Sequence, residues 1–128
     1  MPQDQSSGAA GNAFGRTMAP RIAHAIGATM LGSRSNEAIF EGMRVVIKCA
    51  APKTTSVGVT YLMLERLHSV IGAFQQTNGS FSLFLLPATT FTAEQRPSRS
   101  QGPSSGKVGL VSRAVFESKG MELKSVRV

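Results

Sequence analysis

The stretch that most limits what this chain can fold into is residues 36–50, NEAIFEGMRVVIKCA. It reads as two short strands joined by a two-residue turn at Gly42-Met43, with glycine at the first central position as a type II′ turn requires. That turn sets Glu41 opposite Arg44, Ile39 opposite Val46 and Glu37 opposite Lys48. Because side chains alternate across a strand, one face carries Glu37, Ile39, Glu41, Arg44, Val46 and Lys48. The other face, Ala38, Phe40, Val45, Ile47 and Cys49, is apolar throughout and is expected to face a core.

The flanking segments supply what covers that face. Residues 17–31 have helical spacing, with Thr17 as N-cap, Pro20 in the first turn, and Ile22, Ile26 and Met30 on one stripe. Gly32 is the expected stop. A second, long helix is expected from about 57 to 76, because Val59, Met63, Leu67, Val70, Ile71 and Phe74 fall on one apolar stripe. Thr55 or Ser56 would cap it, and Glu65, Arg66 and His68 would mark its wet side. Phe81–Leu86 is an apolar strand ended by Pro87, Val108–Val111 is a short strand, and 113–119 is a short helix or strand. The last residues are expected to fray. The predicted fold is α/β (or α+β): a small mixed β-sheet with a β-hairpin, flanked by an N-terminal helix and one long central helix. Residues 1–15, rich in Gly, Ser, Ala and Gln, read as a mobile arm. Residues 16–128 read as one globular domain with a flexible basic loop at about 94–107.

Charge is unevenly distributed. Net charge is +7, and residues 96–128 hold seven basic groups against two acidic ones. Such a bias favours a polyanionic partner, nucleic acid first. Arg96, Arg99, Lys107 and Arg113, spaced by Gly, Ser and Pro, suit phosphates, and Arg44 adds a cation on the hairpin. The run Gly102–Val108 fails as a phosphate-binding P-loop: it is one residue short, and Val108 stands where a magnesium-binding hydroxyl belongs. Cys49 is the only cysteine, so an internal disulfide and a cysteine zinc cluster are excluded; it is expected to be an inert core thiol. His24 and His68 have no metal-ligand spacing. No apolar run approaches the length of a membrane span, no signal peptide is evident at the start, and a cytoplasmic protein is expected.

An acid followed about ten residues later by a lysine, on adjacent strands after an N-terminal helix, resembles the PD-(D/E)xK superfamily of restriction-type nucleases over roughly residues 17–87. The resemblance implies a Mg²⁺-dependent phosphodiester hydrolase, with Glu37 in place of the first acid and Lys48 in place of the motif lysine. The second acid, two residues before the lysine, is replaced by Val46. Glu41 shares the face and is the candidate substitute, so Glu37 and Glu41 are the candidate metal ligands and Glu37, Glu41 and Lys48 the candidate catalytic set. Four strand residues separate the two acids by about 13 Å, too far to share one ion unaided. Two other readings follow from the same residues. One is a catalytically inactive DNA- or RNA-binding relative. The other is an assembly protein that forms homodimers through the long helix and binds polyanions incidentally.

Overall fold

A computed structural model describes residues 3–32, 35–97 and 107–128. In chain order its elements are α1 (Gln3–Ile26), β1 (Thr29–Met30), β2 (Glu37–Phe40), β3 (Met43–Ala50), β4 (Ser56–Thr60), α2 (Tyr61–Leu64), β5 (Ser69–Gln75), β6 (Phe81–Pro87), α3 (Ala88–Glu94), β7 (Arg96–Pro97), β8 (Val108–Ser112), α4 (Arg113–Lys119) and β9 (Met121–Glu122). The fold is α/β with mixed sheets. One sheet has six strands in the order β1-β2-β3-β5-β6-β9, and the other has three in the order β4-β8-β7. Only β3 and β5 run parallel; every other pair is antiparallel.

The six-stranded sheet is covered on both faces, which makes three layers. On one face α1 brings Ala19, Ile22 and Ala23 against Ala38, Val45, Ile47, Ile71 and Leu83. On the other, Val46, Val70, Phe74 and Leu86 pack against Val57, Val59 and Val111 of the small sheet and against Phe91 and Phe116. Strand β5 lies between both cores and is buried at six of its seven positions, as a continuous apolar run covered on both faces should be. Gly72 sits where a Cβ would come within 2.8 Å of Phe74 and 2.9 Å of Phe116, so the aromatic layer presses directly on backbone there.

Three sequence expectations change. The hairpin turn is Glu41-Gly42, both at positive φ (51° and 79°), which is type I′ rather than II′. Pairing is therefore Glu37↔Val46 and Ile39↔Arg44, two residues from the predicted register. Because the slip is even, every side chain keeps its predicted face. Second, residues 57–76 are not one helix but strand, a single helical turn and strand. The β-branched Val57, Val59, Thr60, Val70 and Ile71 favour strands, Gly58 disfavours a helix, and the apparent helical stripe was assembled from three elements. No helix begins at residue 57 for Thr55 or Ser56 to cap; Thr60 caps α2 instead, accepting a hydrogen bond from Met63 N. Third, α1 ends at Ile26, not 31, because Gly27 takes φ +77°; at its other end it includes residues 3–16, so Phe14 reaches Phe81 with ring centroids 6.1 Å apart. Residues 88–94 form α3 within what reads as loop. The C-terminal segment is anchored by paired backbone bonds between Phe81 and Val126.

Candidate functional site

The hairpin's charged face is not a wet surface. The small sheet and its helices cover much of it, so Val46 is fully buried and Glu37 is only 3% exposed. A carboxylate taken out of water must find compensating donors, and Glu37 finds two guanidinium groups. Arg66 Nη2 donates to Oε2 at 2.7 Å and Arg66 Nε to Oε1 at 2.9 Å, a forked pair of the kind that makes arginine–carboxylate contacts strong. Arg44 Nε donates to Oε1 at 3.1 Å. The Arg66 bonds, with help from Ser35 and Arg44 and against the effect of burial, hold the Glu37 carboxyl at about 2, below its usual 4.5. Arg66 comes from the loop between α2 and β5, where its backbone N–H bonds to Met63 O, and His68 N bonds to Arg44 O. Glu37 thereby ties that loop to the hairpin.

Lys48 meets the opposite circumstances. It lies on the same face of β3, two residues beyond Val46, and is partly exposed. There a cleft of about 380 Å³ is lined by Gly15 and Arg16 of α1, Ser35 and Asn36, Lys48 and Cys49, Ser56 to Gly58 of β4, and Met63. Several features of the sequence converge to form it. A Cβ on Gly15 would come within 3.4 Å of Asn36 Nδ2, so α1 lies close against the bend. Asn36 holds φ +58°, a left-handed conformation that asparagine tolerates better than most residues. Ser56 accepts a hydrogen bond from Arg96 Nη2 at 3.2 Å, which brings a third cation to the rim. The lining includes two cations and no carboxylate. Among the described residues no hydrogen bond or ion pair reaches Lys48 Nζ, and burial pushes its ammonium pKa below the usual 10.5.

The predicted site residues thus separate. Glu37 and Lys48 are neighbours on one face, but Glu37 faces Arg66 and Arg44 rather than Lys48. Glu41 is exposed at the turn. Both Glu37 oxygens are engaged by guanidinium groups, and among the described residues no group of three His, Cys, Asp or Glu is placed to hold a metal ion. Glu37 and Glu41 therefore do not fit a shared Mg²⁺. Arg44 belongs to the Glu37 cluster. Arg113 pairs with Glu117 at 3.0 Å and lies 5.2 Å from the Phe74 ring centre, so its charge is already engaged. Lys107 is exposed at the start of β8, and its carbonyl accepts from Tyr61 N. Arg99 and most of the Gly102–Val108 run lie outside the described residues. Cys49 packs against the α1-side core, and burial pushes its thiol up to about 12, as expected for an inert cysteine.

Sequence reasoning missed Arg16, Ser35 and Arg66. Arg66 read as the wet side of a helix that does not exist. Nothing local marks Arg16, because only the packing of α1 across β3 brings it to the cleft. The polar residues at the strand ends were a usable signal: Asn36 and Ser56 both line the cleft.

No family model matches the chain, and no curated protein matches it. No described helix is long and apolar enough to cross a membrane.

Proposed function

We propose that this protein binds the phosphate backbone of a nucleic acid through the cleft around Lys48. The observation that carries the reading is a recessed lysine that, among the described residues, has no acidic partner and shares its cleft with one other charged lining residue, Arg16, the rim being reached by Arg96 through Ser56. A desolvated cation without a counterion costs free energy, and an anionic ligand recovers it. The amide of Asn36 and the hydroxyl of Ser56 add neutral hydrogen-bonding partners suited to phosphate oxygens. Net charge of +7 supplies long-range attraction. A cytoplasmic setting belongs to the same reading.

Metal-dependent phosphodiester hydrolysis is the second reading. In its favour, Glu37 pairs directly with Val46, so the first acid stands across from the place where the nuclease motif has its second. Against it, that place is a buried valine and Glu37 is held by two arginines. The assembly reading loses the feature it depended on, since the long amphipathic helix is two strands and one helical turn.

A gel-shift titration with single-stranded DNA, duplex DNA and RNA over a salt series tests the proposal, with Mg²⁺ or EDTA present in parallel. Binding should weaken steeply with salt, with a log–log slope of about −2 to −3 for three phosphate contacts. Arg16→Gln and Arg96→Gln should each lower the slope by about 1. Binding that is absent, or indifferent to salt, overturns the proposal. Cleavage that needs Mg²⁺ would promote the second reading.

A further inference from the structure

An anion site needs only a cation, and an exposed arginine would serve. What this cleft holds is a partly buried lysine, and lysine differs from arginine in that it can lose its proton and act as a nucleophile. Among the described residues no carboxylate lines the cleft around Lys48, and the effect of neighbouring Cys49, which favours the charged form, is outweighed by burial. Arg16 approaches from α1 and Arg96 from the small sheet through Ser56. The acid on its own face, Glu37, is turned to Arg66 and Arg44. Desolvation is one way to activate a lysine amine, and burial here lowers the Lys48 pKa against the opposing effect of Cys49. The chain's other four lysines, Lys53, Lys107, Lys119 and Lys124, are all exposed. Cys49, the other nucleophile by position, is kept protonated and packs on the opposite core.

We infer that Lys48 is a nucleophilic amine that forms an imine with an aldehyde carried on a phosphate ester bound in the cleft. The inference rests on the reading of this cleft as a phosphate site. Arg16 and the Arg96–Ser56 pair would hold the phosphate, and the cleft volume of about 380 Å³ falls at the small end of ligand pockets, enough for one sugar phosphate. The neutral Nζ adds its lone pair to the carbonyl carbon, and the C=O π pair moves to oxygen. Nitrogen loses a proton, oxygen gains one, and water leaves as the C=N bond forms. Amine and aldehyde become imine and water, with no change of oxidation state. Asn36 and Ser56 are the neutral groups available to hydrogen-bond the oxygen that departs. Such an aldehyde has two sources: a free sugar-phosphate type of molecule, or the opened deoxyribose of an abasic site in DNA.

Borohydride trapping of the full chain tests this, because it reduces an imine to a stable secondary amine that peptide mapping by mass spectrometry locates. The probes are pyridoxal 5′-phosphate, pyridoxal, an oligonucleotide with one abasic site, and the same oligonucleotide intact. Lys48 should label about tenfold faster than the four exposed lysines, and faster with pyridoxal 5′-phosphate than with pyridoxal. Arg16→Gln should shrink that phosphate preference. Lys48→Arg keeps a cation in the cleft and should abolish the label, whereas Lys53→Arg should label as the parent does. Cross-linking of the abasic oligonucleotide at Lys48 assigns the nucleic-acid source, and labelling by the small aldehyde alone assigns the other; either supports the inference. Labelling spread evenly over the five lysines, or equal for the two pyridoxals, overturns it, and the map of the parent protein decides this even if Lys48→Arg fails to fold. A salt-sensitive gel shift of the intact oligonucleotide without Lys48 labelling overturns the imine and leaves backbone binding standing. Absence of both overturns both.

Discussion

Glu37 and Lys48 lie on the same face of neighbouring strands, close together in space, and have opposite fates. Glu37 is the more deeply buried, yet each of its oxygens meets a guanidinium. Lys48 is less buried and, among the described residues, meets no acid. A buried charge whose partners come from its own chain is spent on holding structure. One left without such partners is available to something outside. The lesson is that burial alone does not mark a functional group. What marks it is burial without an internal partner, and that difference is invisible in the spacing of residues 37 and 48.

Five substitutions test this contrast. Val46→Glu should have the largest effect. It places a second carboxylate in a fully buried position directly across from Glu37, and a urea melt should show a loss of about 3 kcal/mol or more. A folded Val46→Glu protein of near-parent stability that cleaves DNA with Mg²⁺ would instead make the pair of strands a latent nuclease site. Glu37→Gln comes next, with an expected loss of about 2–3 kcal/mol at neutral pH, held to that level because Arg44 and Arg66 are 44% and 47% exposed and regain water. Its pH signature is specific. The carboxyl drops from 4.5 in the unfolded chain to about 2 in the folded one, so its stabilisation is complete above pH 4.5 and disappears as pH falls toward 2. The acid unfolding curve of Glu37→Gln should be flatter than the parent's in that window. An identical curve would mean that Glu37 is not the paired group.

Arg66→Ala should destabilise the protein more than Arg44→Ala, because Arg66 makes two bonds to Glu37 and Arg44 one. The reverse order in thermal melts would show that the loop before β5 is not held by this cluster. Lys48→Met should be the smallest in stability and the largest in binding. Its desolvated ammonium opposes folding at all pH values below its folded pKa, a penalty that fades as pH rises toward 10.5. Removal should therefore leave stability equal or raise it by up to about 1 kcal/mol, while the gel shift weakens. A strongly destabilised Lys48→Met protein would place Lys48 with Glu37 as a structural charge and collapse the contrast.

The alternation of residues 37–49 was legible because a strand has period two, and a register error of two residues preserves it. The strand at Phe81–Leu86 was legible from its continuous apolar run. Residues 57–76 were misread because short apolar runs carry no decisive period; the stripe from Val59 to Phe74 fits a helix by count, although its β-branched residues pointed to strands and Gly58 spoke against a helix. At the site, Lys48 and its polar neighbours Asn36 and Ser56 were visible in the sequence. Arg16 and Arg66 were not, since what they touch depends on how α1 and the loop before β5 pack onto β3.

The layered arrangement also has a consequence for how the chain is made. The sheet of β3, β5 and β6 is covered on one face by α1, which is synthesised first, and on the other in part by β8 and α4, which begin more than twenty residues after β6 ends. At elongation rates of about 5–20 residues per second, the nascent sheet shows Val46, Val70, Phe74 and Leu86 to its surroundings for several seconds before Val111 and Phe116 arrive. During that interval the ribosome-bound chain has a dry face and a wet one on the same sheet. A chaperone that recognises short apolar strands would meet this protein at that stage, and a ribosome stalled between residues 90 and 105 would hold it there.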